Sequence, residues 1–255
     1  MMKYIKSCYK MFQVRMIRFL TLIWSKEFQL QEFDKVLILS PHPDDEVIGC
    51  AGLIQKLLKQ QKEVYVLMIT GGGAAWSQSL IDTNELIAKR KELMFAAAGI
   101  IGLPHEHYIQ LGWTDGELMD IVNKPEKQLE FVRIIESIKP YMILTPHPFE
   151  IIDDHNAVNV ILNHSMKISN HKMKVFYYWV HAVRPLRGLI LGWTRSFIVS
   201  LDKEEHQIKR RALDTYLKLL TPFNKPYSGE LYKSLLFSMK WNKELFFDAN
   251  FNSKV

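Results

Sequence analysis

The sequence predicts a doubly wound, mostly parallel α/β sheet with helices on both faces. Short apolar runs alternate along the chain with longer amphipathic runs. The apolar runs are unbroken rather than alternating, as expected of strands buried on both faces, and the first two end in Pro-rich and Gly-rich turns.

Residues 35–40 (KVLILS) form the first clear strand, which empties into the turn PHPDDE, and a helical pattern follows over 47–60. Residues 63–70 (EVYVLMIT) are the second strand, closed by Gly71, Gly72 and Gly73, before a helix over 81–98. A weaker third strand covers 107–111, and a helix covers 126–138. Lys139-Pro140 then precedes a fourth strand, 141–145 (YMILT). A helix over 156–168 and a strand over 174–180 continue the alternation, followed by a strand at 195–200 and a helix over 203–220. From Pro222 onward the chain is aromatic-rich without a clear period. No internal repeat or low-complexity linker is found.

With 255 residues, 48% apolar and 24% charged, the chain has the composition of one large globular domain with appendages, which excludes wholesale disorder, collagen and solenoids. The division expected is 1–33 as a basic N-terminal helix, 34–235 as the main domain and 236–255 as a tail. Cys8 and Cys50 lack CxxC spacing, so a metal must be held by His and carboxylates. The net charge is +6, and residues 1–33 carry +4 of it (Lys3, Lys6, Lys10, Arg15, Arg18 and Lys26 against Glu27 and Glu32). No basic stripe interleaved with aromatics runs through the remainder, so no nucleic-acid partner is expected.

Residues 4–24 are apolar, but Lys10, Arg15 and Arg18 interrupt them, against a signal peptide or a span. Ile5, Cys8, Tyr9, Phe12, Met16, Phe19, Leu20 and Ile23 recur at helical spacing opposite Lys3, Lys6, Lys10 and Gln13. Two readings are open: a helix docked on the domain core, the commoner case, or a helix whose residues 1–24 rest peripherally on an anionic membrane. A cytoplasmic location is expected, with peripheral contact at the inner face of the membrane under the second reading.

The chemistry-bearing residues cluster in two loops. His42, Asp44, Asp45 and Glu46 follow the 35–40 strand; His147, Glu150, Asp153, Asp154 and His155 follow the 141–145 strand. Ligands of open α/β sheets bind at the carboxyl ends of strands, where both loops fall. Histidines and carboxylates converging there suit a catalytic zinc site with three protein ligands. Taken singly, each cluster is also explained as helix capping by its aspartates.

The run 35–53, KVLILSPHPDDEVIGCAGL, resembles the first signature of the LmbE-like or PIG-L family of zinc-dependent N-acetylglucosaminyl deacetylases. Thr70-Gly71, Glu92 with Ala96-Ala97 and Gly99, Leu111-Gly112 with Asp115, Glu150-Ile151 with Asp154-His155, and Lys209 with Ala212-Leu213 and Tyr216 match in order, over roughly 34–235. The resemblance implies a Rossmann-like fold and hydrolysis of acetamides on aminosugars with one Zn2+ ion per chain. It implies His42, Asp45 and His155 as zinc ligands, Asp44 as general base and Asp154 as the supporting residue that orients the second motif's imidazole. An N-acetylated sugar or glycoconjugate of cell-envelope biosynthesis is the implied substrate.

Two positions depart from the family pattern. The second motif commonly reads E-I-H-P-D-H, and here Ile152 replaces its first His, a residue associated with stabilising the oxyanion; His147 is the candidate substitute in the same loop, equally read as a histidine hydrogen-bonded into the strand end. The family's helix arginine is Lys89, with Arg90 beside it, and either is a candidate substrate contact, as are Asp115 and Trp113. Trp76, Trp179 and Trp193 could stack on sugar rings, with core packing their default. Asp115 is equally read as a turn aspartate in T-D-G. Gly71–Gly73 reads as a tight turn bordering the site. Hydrolysis of a glycan O-acetyl ester by the same site, or sugar binding without turnover, are the alternative functions.

Overall fold

The computed structural model describes residues 2–169, 171–180, 195–229 and 231–249, with side chains from residue 7 onward. In chain order the elements are α1 (Met2–Trp24), β1 (Lys26–Glu27), β2 (Lys35–Ser40), α2 (Asp45–Lys59), β3 (Glu63–Thr70) and α3 (Thr83–Ile101). A 3-10 turn (His105–His107) leads into β4 (Tyr108–Trp113), α4 (Leu118–Ile121), α5 (Pro125–Ile138), β5 (Met142–Pro146) and α6 (Asp153–Ile168). The rest comprises β6 (Lys174–Tyr178), β7 (Ser196–Ser200), α7 (Lys203–Lys218), α8 (Lys233–Ser238) and β8 (Lys243–Asp248).

Among the described residues the strands form one eight-stranded sheet in the order β1-β7-β8-β6-β5-β2-β3-β4. Every neighbouring pair is parallel except those of β8, which runs antiparallel to both β6 and β7. The fold is therefore the mostly parallel, two-sided sheet that the apolar runs predict. Val36 and Ile38 of β2 pack with Val47, Leu53, Leu86 and Leu213 of α2, α3 and α7, while Leu37 and Leu39 pack with Phe131, Ile135, Val158 and Ile161 of α5 and α6. Burial on both faces explains why this strand is apolar at every position from Val36 to Leu39.

From β2 the chain winds outward through β3 and β4, then crosses back to place β5 on the other side of β2. The β2/β5 pair, with Leu37 opposite Ile143, is thus a topological switch point. Loops leaving its two strands part in opposite directions and open a crevice at the strands' carboxyl ends.

Residues 236–255, outside the family resemblance, supply β8, the strand that joins β6 to β7; residues 250–255 lie outside the described residues. Glu244 on β8 reaches into α2, where its carboxylate accepts from Gly52 N at 2.7 Å and Leu53 N at 2.8 Å. Lys209 of α7 donates to Glu244 Oε1 at 2.5 Å and to Ile48 O at 2.7 Å. A buried ion pair thereby satisfies backbone groups in the middle of α2.

Helix α1 docks on the body, but not by the apolar face that its periodicity suggests. Gln13, Val14, Ile17 and Thr21 are buried, while Tyr9, Phe12, Phe19 and Ile23 are exposed. The docked side is held by cations on rings: Lys10 Nζ lies 3.4 Å from the Tyr232 ring centre, and Arg18 stands 5.0 Å from those of Phe237 and Trp241.

Candidate active site at the sheet switch point

The loop after β2 is built to aim two adjacent carboxylates apart. Asp44 sits at φ 130°, a left-handed conformation that costs a non-glycine residue about 1–3 kcal/mol. Its backbone is fixed from both sides: Asp44 N donates to Glu46 Oε2 at 3.2 Å, and Asp44 O accepts from Val47 N and Ile48 N. Glu46 is itself buried and accepts from Ser40 Oγ at 2.9 Å and the Tyr216 hydroxyl at 3.2 Å. Burial raises the Glu46 pKa to about 7 against these hydrogen bonds. The Asp44 side chain makes no cap bond to α2, so capping does not account for it.

Asp45, the first residue of α2, turns back toward the histidines. Its Oδ2 lies 3.2 Å from His42 Nδ1 and 3.2 Å from His155 Nε2. His155, on the first turn of α6, has Nδ1 2.7 Å from Glu150 Oε2. An ionised carboxylate can only accept, so Nδ1 carries the proton and Nε2 is directed at Asp45. Glu150 is pinned in turn by Val180 N at 2.6 Å. Burial would lower the His155 pKa, but Asp45 and Glu150 outweigh it and raise it to about 9. The carboxylates that favour an extra proton there also favour a cation in its place.

One ligand atom each from His42, Asp45 and His155 falls within 4.8 Å of the others. Two imidazole nitrogens and a carboxylate oxygen, with a carboxylate behind one imidazole, are a donor set that fits a divalent transition-metal ion. His42, Asp115 and Asp154 form a second such grouping. Their carboxylates are engaged by the backbone, however: Asp154 Oδ2 accepts from Gly116 N at 2.8 Å and Asp115 Oδ2 accepts from Ala74 N at 2.8 Å. They grip His42 Nε2 at 3.2 and 3.1 Å, which leaves its Nδ1 side to Asp45. Asp115 is half-buried, and its partial desolvation would raise its pKa, yet the hydrogen bond to His42 holds it down to about 2. Asp154, like Asp44, is therefore spent on the site rather than on capping its helix.

An open cavity of about 190 Å³ adjoins these groups, lined by His42, Asp44, Asp45, Arg90, Asp115 and Ile152, with Ser228, Leu231 and Leu235 contributed from the C-terminal region. Arg90 is buried against its wall, donating to Pro43 O at 2.7 Å and Gly72 O at 3.0 Å, with Asp44 Oδ2 3.4 Å away. Gly72 has φ +72° and a Cβ there would meet the guanidinium at 2.3 Å, so both backbone and contact demand glycine in the Gly71–Gly73 turn. Asp44 is largely buried where it borders the cavity, and its pKa rises to about 8 through burial, opposed by Arg90 and reinforced by Asp45.

Other expected site residues are placed elsewhere. Lys89 pairs with Glu92 on the surface of α3, one residue from the buried Arg90. His147 is buried with its ring against Phe149, Tyr177 and Phe247, its Nδ1 accepting from Phe149 N at 3.1 Å, and it does not line the cavity. Burial alone lowers its pKa to about 3. Trp113 is buried in the core beneath α5, with Nε1 3.3 Å from Glu130. Trp76 bonds Pro226 O, Trp179 is buried, and Trp193 lies outside the described residues.

Sequence reasoning gave no role to Glu46 or Glu150, although both stand inside the two motifs. The cavity wall from Ser228, Leu231 and Leu235 carried no sequence signal.

A family model described as PIG-L: GlcNAc-PI de-N-acetylase matches residues 37–166. Diacetylchitobiose deacetylase of Thermococcus kodakarensis is 30% identical over 141 residues, which is 54% of this chain and 51% of that protein, so the match spans about half of the relative's length. The structure of A40926 pseudoaglycone deacetylase superposes with a TM-score of 0.62 at 15% identity, covering 84% of this chain and 96% of that one. The 4-carboxy-2-hydroxymuconate hydratase of Pseudomonas putida does so with a TM-score of 0.55 at 15% identity, covering 72% and 85%. At those identities the two structures speak for the fold alone, and the second shows that the fold also hosts another reaction. The family match covers both motif loops and the histidines and carboxylates that they bring together: the chain belongs to the PIG-L family.

Proposed function

We propose that this chain is a metal-dependent N-deacetylase that hydrolyses the acetamide of an N-acetylglucosamine-type sugar or glycoconjugate, with Zn2+ held by His42, Asp45 and His155. The observation that carries the proposal is the convergence of these three residues beside a buried carboxylate, Asp44, that is spent on neither capping nor the ligand set. When bound, the ion supplies Lewis-acid polarisation of an amide carbonyl and acidifies a water. Asp44 is the base that takes a proton from the attacking water and gives it to the nitrogen as the C–N bond breaks, so that acetate and the free amine leave. Arg90, held rigidly by two backbone carbonyls, is the substrate contact, and Asp115 orients His42 while bordering the cavity. The proposed setting is cell-envelope biosynthesis on the cytoplasmic side.

The second reading is hydrolysis of an O-acetyl ester on a glycan. Ile152 lines the cavity where the family commonly has an imidazole, and an alkoxide leaves with less need of a proton donor than an amine.

Acetate release from a panel of N-acetylglucosamine derivatives tests the proposal, with zinc-loaded protein and Asp44→Asn as control. Wild-type turnover with a loss of about 10²–10⁴ in the variant, at equal zinc content, is expected. Turnover confined to O-acetylated glycans moves the assignment to the esterase, and saccharide binding without any acetate release makes the chain a binding protein.

A further inference from the structure

Ile152 is out of place at the start of a helix. It occupies the position that caps α6, and its side chain makes no cap bond. Ser, Thr, Asp and Asn are preferred there, and a β-branched apolar residue is among the least favoured. Core packing does not explain it either: among the described residues Ile152 belongs to neither of the two apolar clusters that cover the sheet. Its half-buried side chain lines the cavity instead. Three further apolar side chains of that size line the same space. Ile48 stands one turn along α2 from Asp45, and Leu231 and Leu235, four residues apart, arrive with α8.

Most polar groups of the lining are engaged by the protein itself. His42 lies against Asp45 and Asp115, Asp115 also accepts from Ala74 N, and Ser228 Oγ donates to Tyr216 O at 3.3 Å. Asp44 and Arg90 are left for the substrate. Sugar hydroxyls pressed against Ile48, Ile152, Leu231 and Leu235 would lose water and gain no partner, whereas an alkyl or aryl group there is favoured by burial. The space suffices: the cavity measures about 190 Å³, and about 150 Å³ lined by Leu, Ile and Phe holds a benzene molecule.

We propose that Ile152, with Ile48, Leu231 and Leu235, forms an apolar subsite beside the scissile amide that takes an alkyl or aryl group of the substrate. The inference rests on the deacetylase reading for the position of the amide. Ile152 is then a specificity-determining residue, and the substrate class is an N-acyl amino sugar carrying an apolar group on its acyl carbon or as its aglycone.

Isothermal titration with zinc-loaded Asp44→Asn protein tests the subsite through affinity alone. One ligand series is glucosamine acylated with acetyl, propionyl and butyryl groups; the other is N-acetylglucosamine as its methyl, propyl and pentyl glycosides. Affinity should rise about fourfold per added methylene in one series, and the series that responds identifies where the apolar group is carried. Adding Ile152→Ser should reduce that increment to about twofold or less without lowering the melting temperature, since Ser is a favoured cap. Leu231→Ser, at a half-buried position, should reduce it likewise. Affinities that stay level or fall along both series overturn the inference, as does an Ile152→Ser protein that keeps the full increment. Carboxylate release by the protein with Asp44 intact is measured separately: increments in affinity without release keep the subsite and remove hydrolysis, and release with level affinities does the reverse.

Discussion

His147 and His155 stand eight residues apart, both fully buried, at the end of β5 and the start of α6, yet their environments are opposite. His155 lies between Asp45 and Glu150, and its pKa rises to about 9; His147 lies among Phe149, Tyr177 and Phe247, and its pKa falls to about 3. Burial opposes the charged form of both rings, so the partners alone divide them. One is set up to share its site with positive charge, and the other is a neutral ring in an aromatic pocket. Type, loop and burial are shared; only the carboxylates distinguish a candidate ligand from packing.

Replacing His155 by Gln should show this contrast at its strongest. It removes the imidazole that compensates two buried carboxylates, and should lower the unfolding free energy by about 3–5 kcal/mol in denaturant titrations while abolishing zinc retention after gel filtration. A variant as stable and as zinc-loaded as the wild type would show that the carboxylates do not depend on the ring. Glu150→Gln probes the same ring from behind: competition with a chelator should report zinc affinity weaker by about 10–100-fold.

The other half of the contrast is tested with acid. His147 is neutral when folded, with a pKa depressed to about 3 from 6.5, so the unfolded state binds the extra proton. Its contribution to stability is complete above pH 6.5 and is lost as pH falls, at about 1.4 kcal/mol per pH unit, or about 2 kcal/mol by pH 5. His147→Asn keeps an acceptor for the Phe149 N–H and should remove that component of the slope; equal slopes in the two proteins would mean that the ring is not buried neutral. The smallest effect belongs to Lys89→Ala, which breaks only a surface pair with Glu92 and should leave the denaturant midpoint of unfolding unchanged.

The central strands were legible because β2, β3 and β5 are covered on both faces and so read as continuous apolar runs. β1 has two residues and β8 lies in an aromatic-rich stretch, and neither offered a period to detect. In α1 the periodicity was real but its direction was not: the helix docks through Val14, Ile17 and cation–ring contacts, and long-range packing of that kind has no local spacing. At the site, HPDDE and DDH announced themselves as compact motifs at strand ends. Arg90 over Lys89 could be chosen only from the helix's facing, and the wall from Ser228, Leu231 and Leu235 arrives from more than 180 residues beyond His42. Such a meeting is set by tertiary structure rather than by neighbours in the chain.

The insertion of β8 between β6 and β7 constrains the order in which the molecule can be made. Strands β2 to β6 can align as soon as they leave the ribosome, but β7, and β1 through it, joins the sheet only across β8, which follows all of them in the described chain. Until residue 248 emerges, β6 and β7 each expose an edge that the finished protein lacks, and Gly52 and Leu53 of α2 await the carboxylate of Glu244. Such late, long-range closure is slow to form and leaves the nascent chain open to pairing with other edges. A nascent chain stopped short of β8 would lack both the join in its sheet and the clasp on the helix that begins with Asp45.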